Sequence, residues 1–333
     1  DHLVRCFIEN PNARLVDHPW SDLEPKLLSR DAVPASAEGF PSTIDLILAQ
    51  LSTRRDAVAL EVWSRGGEGS LQPTRYTYGE LSARVSAIAR YLQEHTAPHS
   101  RIAVEVPRSI HTYAAMLAIL ATARTYVPID QYLPPERKAV LLSESAASLL
   151  LCEESSSKPQ PPRLDVAALP HLDNNAPLKN VASSEGLACI MFTSGSTGKP
   201  KAVGLSHSNF DAALAAFRHT FKEGSEVVPG SRFMARSAEA FDVHLLEGLL
   251  PLTVGATVVT AARDLIMEDL PGVLHQVHAT HTAVVPSLFH HPDGRSVLPS
   301  DLPHLKLLIA GGERIHDTTI TEWAGSGGPL LQA

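Results

Sequence analysis

The sequence predicts an α/β fold in which helices cover largely parallel β-sheets. Two observations lead to this prediction. Short apolar runs alternate along the chain with longer amphipathic segments, as strands and crossover helices do in such folds. The 333 residues are 44% hydrophobic and 19% charged, which is enough for a large core and more than one structural lobe.

The helices are predicted from apolar residues at helical spacing and from capping signals. Ser42, for example, is in position to cap a segment whose inner face carries Ile44, Ile47 and Leu51. The predicted helices cover residues 43–54, 79–95, 109–121, 134–145, 208–221, 242–250, 266–277 and 315–324.

The strands are predicted from short apolar runs bounded by turn residues. Residues 153–180 are rich in Ser and Pro, and we interpret them as a surface loop within one fold. The predicted strands cover residues 57–63, 102–106, 125–127, 148–151, 187–192, 202–205, 232–236, 256–259, 282–285 and 305–309.

Composition excludes several classes of protein. No apolar run reaches the ~18 residues of a membrane span, and no signal peptide is recognisable. The net charge is −8 without a dense basic patch, so neither nucleic acid nor a membrane is an expected partner. The three cysteines are widely spaced, which is typical of a protein without a disulfide framework. We therefore expect a cytoplasmic protein.

Two groups of histidines have spacings that a metal site could use. They are His95 with His99, and His275 with His278 and His281. A proline separates the first two, and no Cys or carboxylate stands beside the other three to complete a site. We interpret both groups as surface histidines and expect no metal site.

A loop rich in Ser, Thr, Gly and Lys lies between two of the predicted strands. Glycine allows positive φ, so successive N–H groups can face one anion, while hydroxyls and ammonium groups add donors and charge. The loop lacks the Gly and the Ser or Thr that a Walker motif requires at the positions of Thr193 and Pro200. We expect raised mobility in this loop. The alternative to a phosphate-binding role is an ordinary surface loop. The predicted phosphate-binding residues are Thr193, Ser194, Gly195, Ser196, Thr197, Gly198, Lys199 and Lys201.

This loop resembles the core signature of adenylate-forming enzymes, the superfamily of acyl-CoA synthetases, luciferases and adenylation domains of nonribosomal peptide synthetases. Four more segments resemble motifs of that superfamily in the same order, at residues 75–81, 120–130, 241–244 and 311–313. The resemblance implies that residues 41–333 form the large α/β/α lobe of an adenylation domain, incomplete at its C-terminal end. Residues 1–40 resemble the linker that follows a condensation domain, with a disordered tail as the alternative.

The resemblance implies that ATP and a carboxylic acid form an acyl-adenylate and pyrophosphate. Gly311 and Gly312, beside Glu313, would let the backbone approach the adenine, or would form only a turn after a strand. Mg²⁺ and the phosphopantetheine of a carrier domain are the implied cofactors, and carrier and condensation domains the implied partners. The family's catalytic lysine and magnesium ligand would lie beyond Ala333. We therefore expect no catalytic or metal-binding residue in this chain, and no normal pyrophosphate exchange by these 333 residues alone.

Asp242 is the most informative residue for the substrate. In amino-acid-activating members an aspartate at this place pairs with the substrate's α-ammonium, and the alternative is that Asp242 only caps a helix. The other pocket residues implied by the motifs are all apolar, which favours an apolar amino acid. They are Val243, Leu246, Ala283, Leu308, Ala310 and Ala333.

Several residues depart from the family pattern. His244 replaces a small hydroxyl residue, and Ala238 and Glu239 replace residues that are usually aromatic. The predicted function is the activation of an apolar amino acid as its adenylate, for loading onto a carrier-protein thiol. Two alternatives stay open: an acyl-CoA synthetase-like ligase, and a non-catalytic remnant that binds nucleotide weakly.

Overall fold

A computed structural model describes residues 40–67, 70–153, 161–170, 178–194, 199–221, 224–315, 317–324 and 330–332. The unit Pro41–Ala333 is compact, and all of the helices and strands given below lie in it.

The helices of the described residues lie close to their predicted positions. Ser42 caps the first helix, as predicted, and accepts a hydrogen bond from the Asp45 N–H. The second helix begins with a capping box between Thr77 and Glu80. The helices are α1 (Thr43–Thr53), α2 (Tyr78–His95), α3 (Ile110–Ala121), α4 (Pro135–Ser145), α5 (His207–Thr220), α6 (Val243–Thr253), α7 (Arg263–Glu268), α8 (Leu270–Gln276) and α9 (Asp317–Ala324).

The strands of the described residues form two sheets. Neighbouring strands are parallel except in the pairs β1–β2 and β7–β8, which are antiparallel. One sheet has the order β13-β12-β11-β9-β10-β1-β2, and the other the order β6-β5-β3-β4-β7-β8. The strands are β1 (Val58–Arg65), β2 (Leu71–Thr77), β3 (Arg101–Glu105), β4 (Thr125–Pro128), β5 (Leu149–Cys152), β6 (Arg163–Asp165), β7 (Leu187–Ser194), β8 (Pro200–Ser206), β9 (Arg232–Met234), β10 (Thr257–Ala261), β11 (His281–Val284), β12 (Leu307–Ala310) and β13 (Leu330–Gln332).

Three hydrophobic clusters show how the layers are stacked. The largest joins side chains of both sheets to those of α1, α2, α3, α5 and α6, so these helices lie between the sheets. A second cluster covers the outer face of the seven-stranded sheet with α7, α8 and α9. A third covers the outer face of the six-stranded sheet with α4. The result is five alternating layers of helix and sheet, which confirms the predicted α/β class.

Two predictions of secondary structure were wrong. The single helix predicted over residues 266–277 is broken at Asp269, which has a non-helical backbone (φ −153°, ψ 76°) and caps α8 by accepting from the Gly272 N–H at 2.9 Å. Pro271, in the first turn of α8, favours this fresh start. The segment 153–180 was interpreted as loop alone, but Arg163–Asp165 adds an edge strand to β5.

One histidine, His281, differs from its predicted exposure. His275 and His278 are exposed, but His281 is completely buried in β11, so its assignment to the surface was wrong. Its ring finds partners inside: Nδ1 lies 2.7 Å from Thr280 Oγ1, and Nε2 lies 3.1 Å from the Ser225 carbonyl oxygen. Burial lowers the pKa of His281 to about 4, so the ring is neutral near pH 7.

Neither a membrane span nor a metal centre is found in the part of the chain that the structure describes. Within those ranges, none of the helices combines the length and the apolar character that a bilayer crossing requires. Among the same residues, no three His, Cys, Asp or Glu side chains come together as a group that could hold a metal ion.

Candidate functional site

The predicted phosphate-binding segment lies at one end of the β7–β8 hairpin. Thr193 is opposite Lys201 in the antiparallel register, so their side chains share a face of the sheet. The side chains of Thr193, Lys199 and Lys201 are all exposed. A hydroxyl and two ammonium groups are therefore available to an anion at this end of the hairpin.

Part of the predicted site lies outside the described residues. This applies to Gly195, Ser196, Thr197 and Gly198, to the mobility expected there, and to Ala333. Ser194 is the last residue of β7.

The predicted adenine-binding residues form the turn that leaves β12. Gly312 has a φ of +87°, a backbone conformation that favours glycine. The Gly311 N–H donates to the Val284 carbonyl at 3.1 Å, which holds the start of the turn against β11. The Glu313 carboxylate accepts a hydrogen bond from the backbone N–H of Ser287. The turn therefore has a defined shape, fixed at the ends of two parallel strands.

Asp242 is the residue immediately before α6 and is exposed. Its carboxylate accepts a hydrogen bond from the Val243 N–H at 2.9 Å. The usual capping bond reaches the second or third N–H of a helix, whereas this bond reaches the first. The usual capping bond therefore does not explain why an aspartate occupies this position.

An open cavity of about 260 Å³ lies between α5 and α6 beside Asp242. Three predicted pocket residues, Asp242, Val243 and Leu246, line it. Apart from Asp242 and Asn209, its lining is apolar, and the remaining side chains are Leu205, Phe210, Ala213, Leu214, Phe217, Leu245 and Leu249. A larger opening of about 600 Å³ runs along α4 and β6, and none of the predicted site residues lines it.

The register of β11 and β12 separates the other predicted pocket residues. Ala283 is level with Ile309, and the two share a hydrophobic cluster with Leu246. Leu308 and Ala310 point to the opposite face and belong to the cluster under α7, α8 and α9. One cavity can reach both faces only beyond the carboxyl ends of these strands, where ligands of open α/β sheets bind.

Glu247 lies in α6 and is completely buried. Its Oε2 accepts hydrogen bonds from the backbone N–H groups of Arg236 at 3.0 Å and Ser237 at 2.8 Å, and the Ser237 hydroxyl lies 3.0 Å from Oε1. Burial raises the pKa of Glu247 to about 7, although these hydrogen bonds and two arginines act against the rise. The carboxyl group thus holds the chain that leaves β9 against α6.

Two more buried polar side chains lie near this chain. His244 Nε2 is 3.3 Å from the Tyr126 hydroxyl, and burial lowers the pKa of His244 to about 4. Arg108, which lies between β3 and α3, donates to the carbonyl groups of Arg236 and Ser237 and to the Glu239 carboxylate. The sequence analysis did not identify Arg108 or Glu247 as part of the site. Glu247 carried a signal, because a carboxylate within an apolar helix requires buried partners.

Comparison with known proteins gives a consistent set of relatives. A family model described as AMP-binding enzyme matches residues 48–333. The chain is 36% identical over 264 residues to a ferrichrome siderophore peptide synthetase of Mycosarcoma maydis, covering 75% of this chain and 6% of that protein. It is 30% identical over 356 residues to nonribosomal peptide synthetase sidC of Aspergillus fumigatus, covering 98% of this chain and 7% of that protein. The chain therefore spans only a small part of the length of these relatives.

Solved structures share the fold. The N-terminal subdomain of Klebsiella oxytoca NpsA, in complex with 3-hydroxybenzoyl-AMSN, aligns with a TM-score of 0.72 at 21% identity, covering 88% of this chain and 72% of that one. A four-domain nonribosomal peptide synthetase bound to AMP and glycine aligns with a TM-score of 0.72 at 22% identity, covering 89% of this chain and 22% of that one. At these identities the likeness establishes the fold.

We expect Glu247→Gln to be close to neutral and Glu247→Leu to be costly. A glutamine keeps a carbonyl oxygen for the two backbone N–H groups and an amide that can donate to Ser237. Leucine leaves buried donors unpaired, at about 1–3 kcal/mol each. Urea unfolding of both variants measures the difference, with Glu144→Gln on the exposed side of α4 as the control. Equal stability of the Gln and Leu variants would contradict the role given to this carboxyl group.

We also expect the free energy of unfolding to fall as the pH is lowered from about 6.5 towards 4. His244 and His281 bind protons near pH 6.5 when unfolded, but only near pH 4 when folded. Their stabilisation is therefore present above pH 6.5 and lost on acidification, at about 1.4 kcal/mol per pH unit for each ring. Glu247, with its raised pKa, gives the opposite slope for one proton.

The measurement is urea unfolding between pH 5 and pH 6.5. His281→Gln removes one ring and should reduce the slope by about one proton's worth, ~1.4 kcal/mol per pH unit. His95→Gln, on the exposed end of α2, is the control for replacing a histidine by glutamine. A His281→Gln variant with the original slope would show that this ring does not cause the acid sensitivity.

Proposed function

The chain belongs to the AMP-binding enzyme family, as its motifs predict, and from that premise we propose that it activates an apolar amino acid as an aminoacyl-adenylate. A carboxylate oxygen of the amino acid attacks the α-phosphorus of ATP, the bond to the β-phosphate breaks, and pyrophosphate leaves with the electron pair. The phosphopantetheine thiol of a carrier domain would then attack the carbonyl carbon of the adenylate, so that a thioester forms, the bond from that carbon to the phosphate oxygen breaks, and AMP leaves. The observation that carries this proposal is the position of Asp242 in the lining of an otherwise largely apolar cavity.

The hairpin end supports the phosphate half of the proposal. Thr193, Lys199 and Lys201 offer an exposed hydroxyl and two cations, which suit the β- and γ-phosphates. We propose that the other loop residues from Ser194 to Gly198 act with them. The turn at Gly311, Gly312 and Glu313 is proposed to border the adenine, because glycine permits close approach of a ring to the backbone. Mg²⁺ is implied by the family, and we assign none of this chain's residues to it.

The cavity supports the amino-acid half of the proposal. A carboxylate is the natural partner of an α-ammonium group, and Asp242 is the only charged residue in the lining. A volume of about 260 Å³ is below the roughly 300–1,000 Å³ of pockets for drug-sized ligands, which suits a molecule of amino-acid size. We keep Val243, Leu246 and Ala283 as side-chain contacts, and propose that Leu308, Ala310 and Ala333 contribute where the strands end.

The names of the relatives support the proposed partners. Both are peptide synthetases, and one is a ferrichrome siderophore peptide synthetase. We propose that the chain is part of a synthetase of this kind, with residues 1–40 as the linker from a condensation domain. Carrier and condensation domains of the same protein are then its partners.

The test of this function is amino-acid-dependent exchange of pyrophosphate into ATP by the full-length protein that contains this chain. Asp242→Asn should lower kcat/KM for the amino acid by ~30- to 150-fold, because a charge-assisted hydrogen bond of about 2–3 kcal/mol is lost. The KM for ATP should change little, since the phosphate-binding residues lie at the β7–β8 hairpin.

The control is Asp269→Asn, which alters a helix-capping aspartate at α8 and should leave both KM values unchanged. Asparagine caps a helix about as well as aspartate, so a pure capping role for Asp242 predicts an unchanged amino-acid KM. That result would favour the acyl-CoA synthetase-like alternative. Full-length protein that binds ATP but exchanges with no carboxylic acid would favour the non-catalytic alternative.

Filling the cavity should change substrate preference. Ala213→Phe places a ring at the cavity wall on α5, so we expect the KM for large apolar amino acids to rise ~10-fold and preference to shift towards smaller ones. Ala212→Phe makes the same substitution one position away, where the residue does not line the cavity, and should leave preference unchanged. Equal effects of the two variants would show that the cavity does not hold the substrate side chain.

A further inference from the structure

Asp242 lies in a segment that has little packing of its own. The side chain of Phe241 is 64% exposed, and Asp242 itself is exposed. The Phe241 N–H donates to the Ala238 carbonyl at 3.0 Å, and the Asp242 carboxylate bonds the next N–H in the chain. Such local turn bonds set the shape of the segment that leads into α6.

The bonds that hold the chain before Asp242 to the core end at Ser237, and the next ones described are those to α6, where the Phe241 and Asp242 carbonyl groups accept from the His244 and Leu245 N–H groups at 3.1 and 2.9 Å. The Ala235 N–H donates to the Val259 carbonyl at 2.7 Å, and the next two N–H groups, of Arg236 and Ser237, donate to Glu247. Beyond Ser237 the backbone has no such bond to a neighbouring strand among those described. A further contact is needed to fix the four residues that lead to Asp242.

Arg108 supplies that contact. Its Nη2 donates to the carbonyl groups of Arg236 at 2.6 Å and Ser237 at 2.9 Å, and its Nε lies 3.3 Å from the Glu239 carboxylate. The Arg108 and Glu239 side chains are only 10% and 11% exposed. At such burial, removing one charge would leave the other buried and unpaired. Glu239 is three residues before Asp242, within about 10 Å of chain.

We propose that Arg108 is a positioning residue for Asp242, acting through Glu239 and the two carbonyl groups and not through the ligand. This rests on the proposed function, in which Asp242 holds the substrate's ammonium group. It also accounts for a carboxylate at Glu239 that is only 11% exposed, because Arg108 lies beside it. Arg108 follows β3 of one sheet, and the segment it holds follows β9 of the other.

Arg124 provides a matched control. It is also buried, at 4% exposure, and its guanidinium also donates to backbone carbonyl groups, those of Leu92, Thr96 and Thr122. These carbonyl groups lie at the C-terminal ends of α2 and α3. Arg108→Lys and Arg124→Lys therefore remove the same kind of forked interaction in two places, and a general loss of stability affects both variants.

The first measurement is exchange kinetics of the full-length protein. Arg108→Lys should raise the amino-acid KM ~10-fold and leave the ATP KM within ~2-fold, because a displaced Asp242 affects amino-acid binding alone. Arg124→Lys should leave both KM values unchanged even if its melting temperature falls. Glu239→Gln, which keeps the shape of the side chain, should raise the amino-acid KM in the same direction. An unchanged amino-acid KM in Arg108→Lys, or an equal rise in Arg124→Lys, would overturn the proposal.

The second measurement does not depend on activity. Amide hydrogen exchange of peptides covering residues 237–246 should be faster in Arg108→Lys than in the unaltered protein, and unchanged in Arg124→Lys. Unaltered exchange in Arg108→Lys overturns the positioning role, whatever the enzyme does. Faster exchange in a protein without amino-acid-dependent activity would instead leave the positioning role intact and overturn the proposed function.

Discussion

The helices between the two sheets must bury apolar side chains on both sides at once, and the rest of the structure depends on this. In α3, every side chain except that of His111 is buried, so the helix has no polar face for water. Neighbouring helices approach it closely: a Cβ added at Gly248 of α6 would lie 3.2 Å from Met116 and 3.3 Å from Tyr113. Such packing leaves little freedom in the layer, and the proposed phosphate- and adenine-binding residues lie instead at the ends of strands.

Because the middle layer excludes water, its polar side chains need hydrogen-bond partners within the protein. An unpaired buried polar group costs about 1–3 kcal/mol, and several polar side chains of this layer avoid this cost by bonding to backbone. The Tyr78 hydroxyl donates to the Ala256 carbonyl at 2.6 Å, Glu247 accepts from two N–H groups, and Arg124 donates to three carbonyl groups. Tyr78 and Glu247 each join a helix to the chain before or after a strand of the seven-stranded sheet. Satisfying the polar groups thus also fixes where the loops begin.

The sequence predicts those parts of the fold in which burial has a local pattern. The apolar runs of α3 and β4 are visible in any short window, whereas β2 contains Pro73, is largely exposed or half-buried, and was not predicted. Contacts between residues far apart in sequence cannot be predicted from a short window. Arg108 and Glu239 are separated by 131 residues, and Arg232 and Glu61 by 171. In the site, the motif groups Asp242, Val243 and Leu246, and all three line one cavity. Ala283 lies on the opposite face of the sheet from Leu308 and Ala310 because of the strand register, which cannot be predicted from a local sequence pattern.

The proposed reaction requires the two sheets to keep a fixed relation to each other. The candidate phosphate-binding residues leave the six-stranded sheet at the β7–β8 hairpin, while Asp242 and the Gly311 turn leave the seven-stranded sheet. Attack on the α-phosphorus needs the reacting atoms at roughly 3–3.5 Å, and a displacement of ~1 Å can cost ~100-fold in rate. The packing of the middle helices sets this relation coarsely. Arg108 then fixes the relation between the sheets more closely. Its guanidinium belongs to the chain after β3 and bonds directly to the chain after β9. On this reading, specificity for the amino acid depends on contacts between the sheets as much as on the cavity wall.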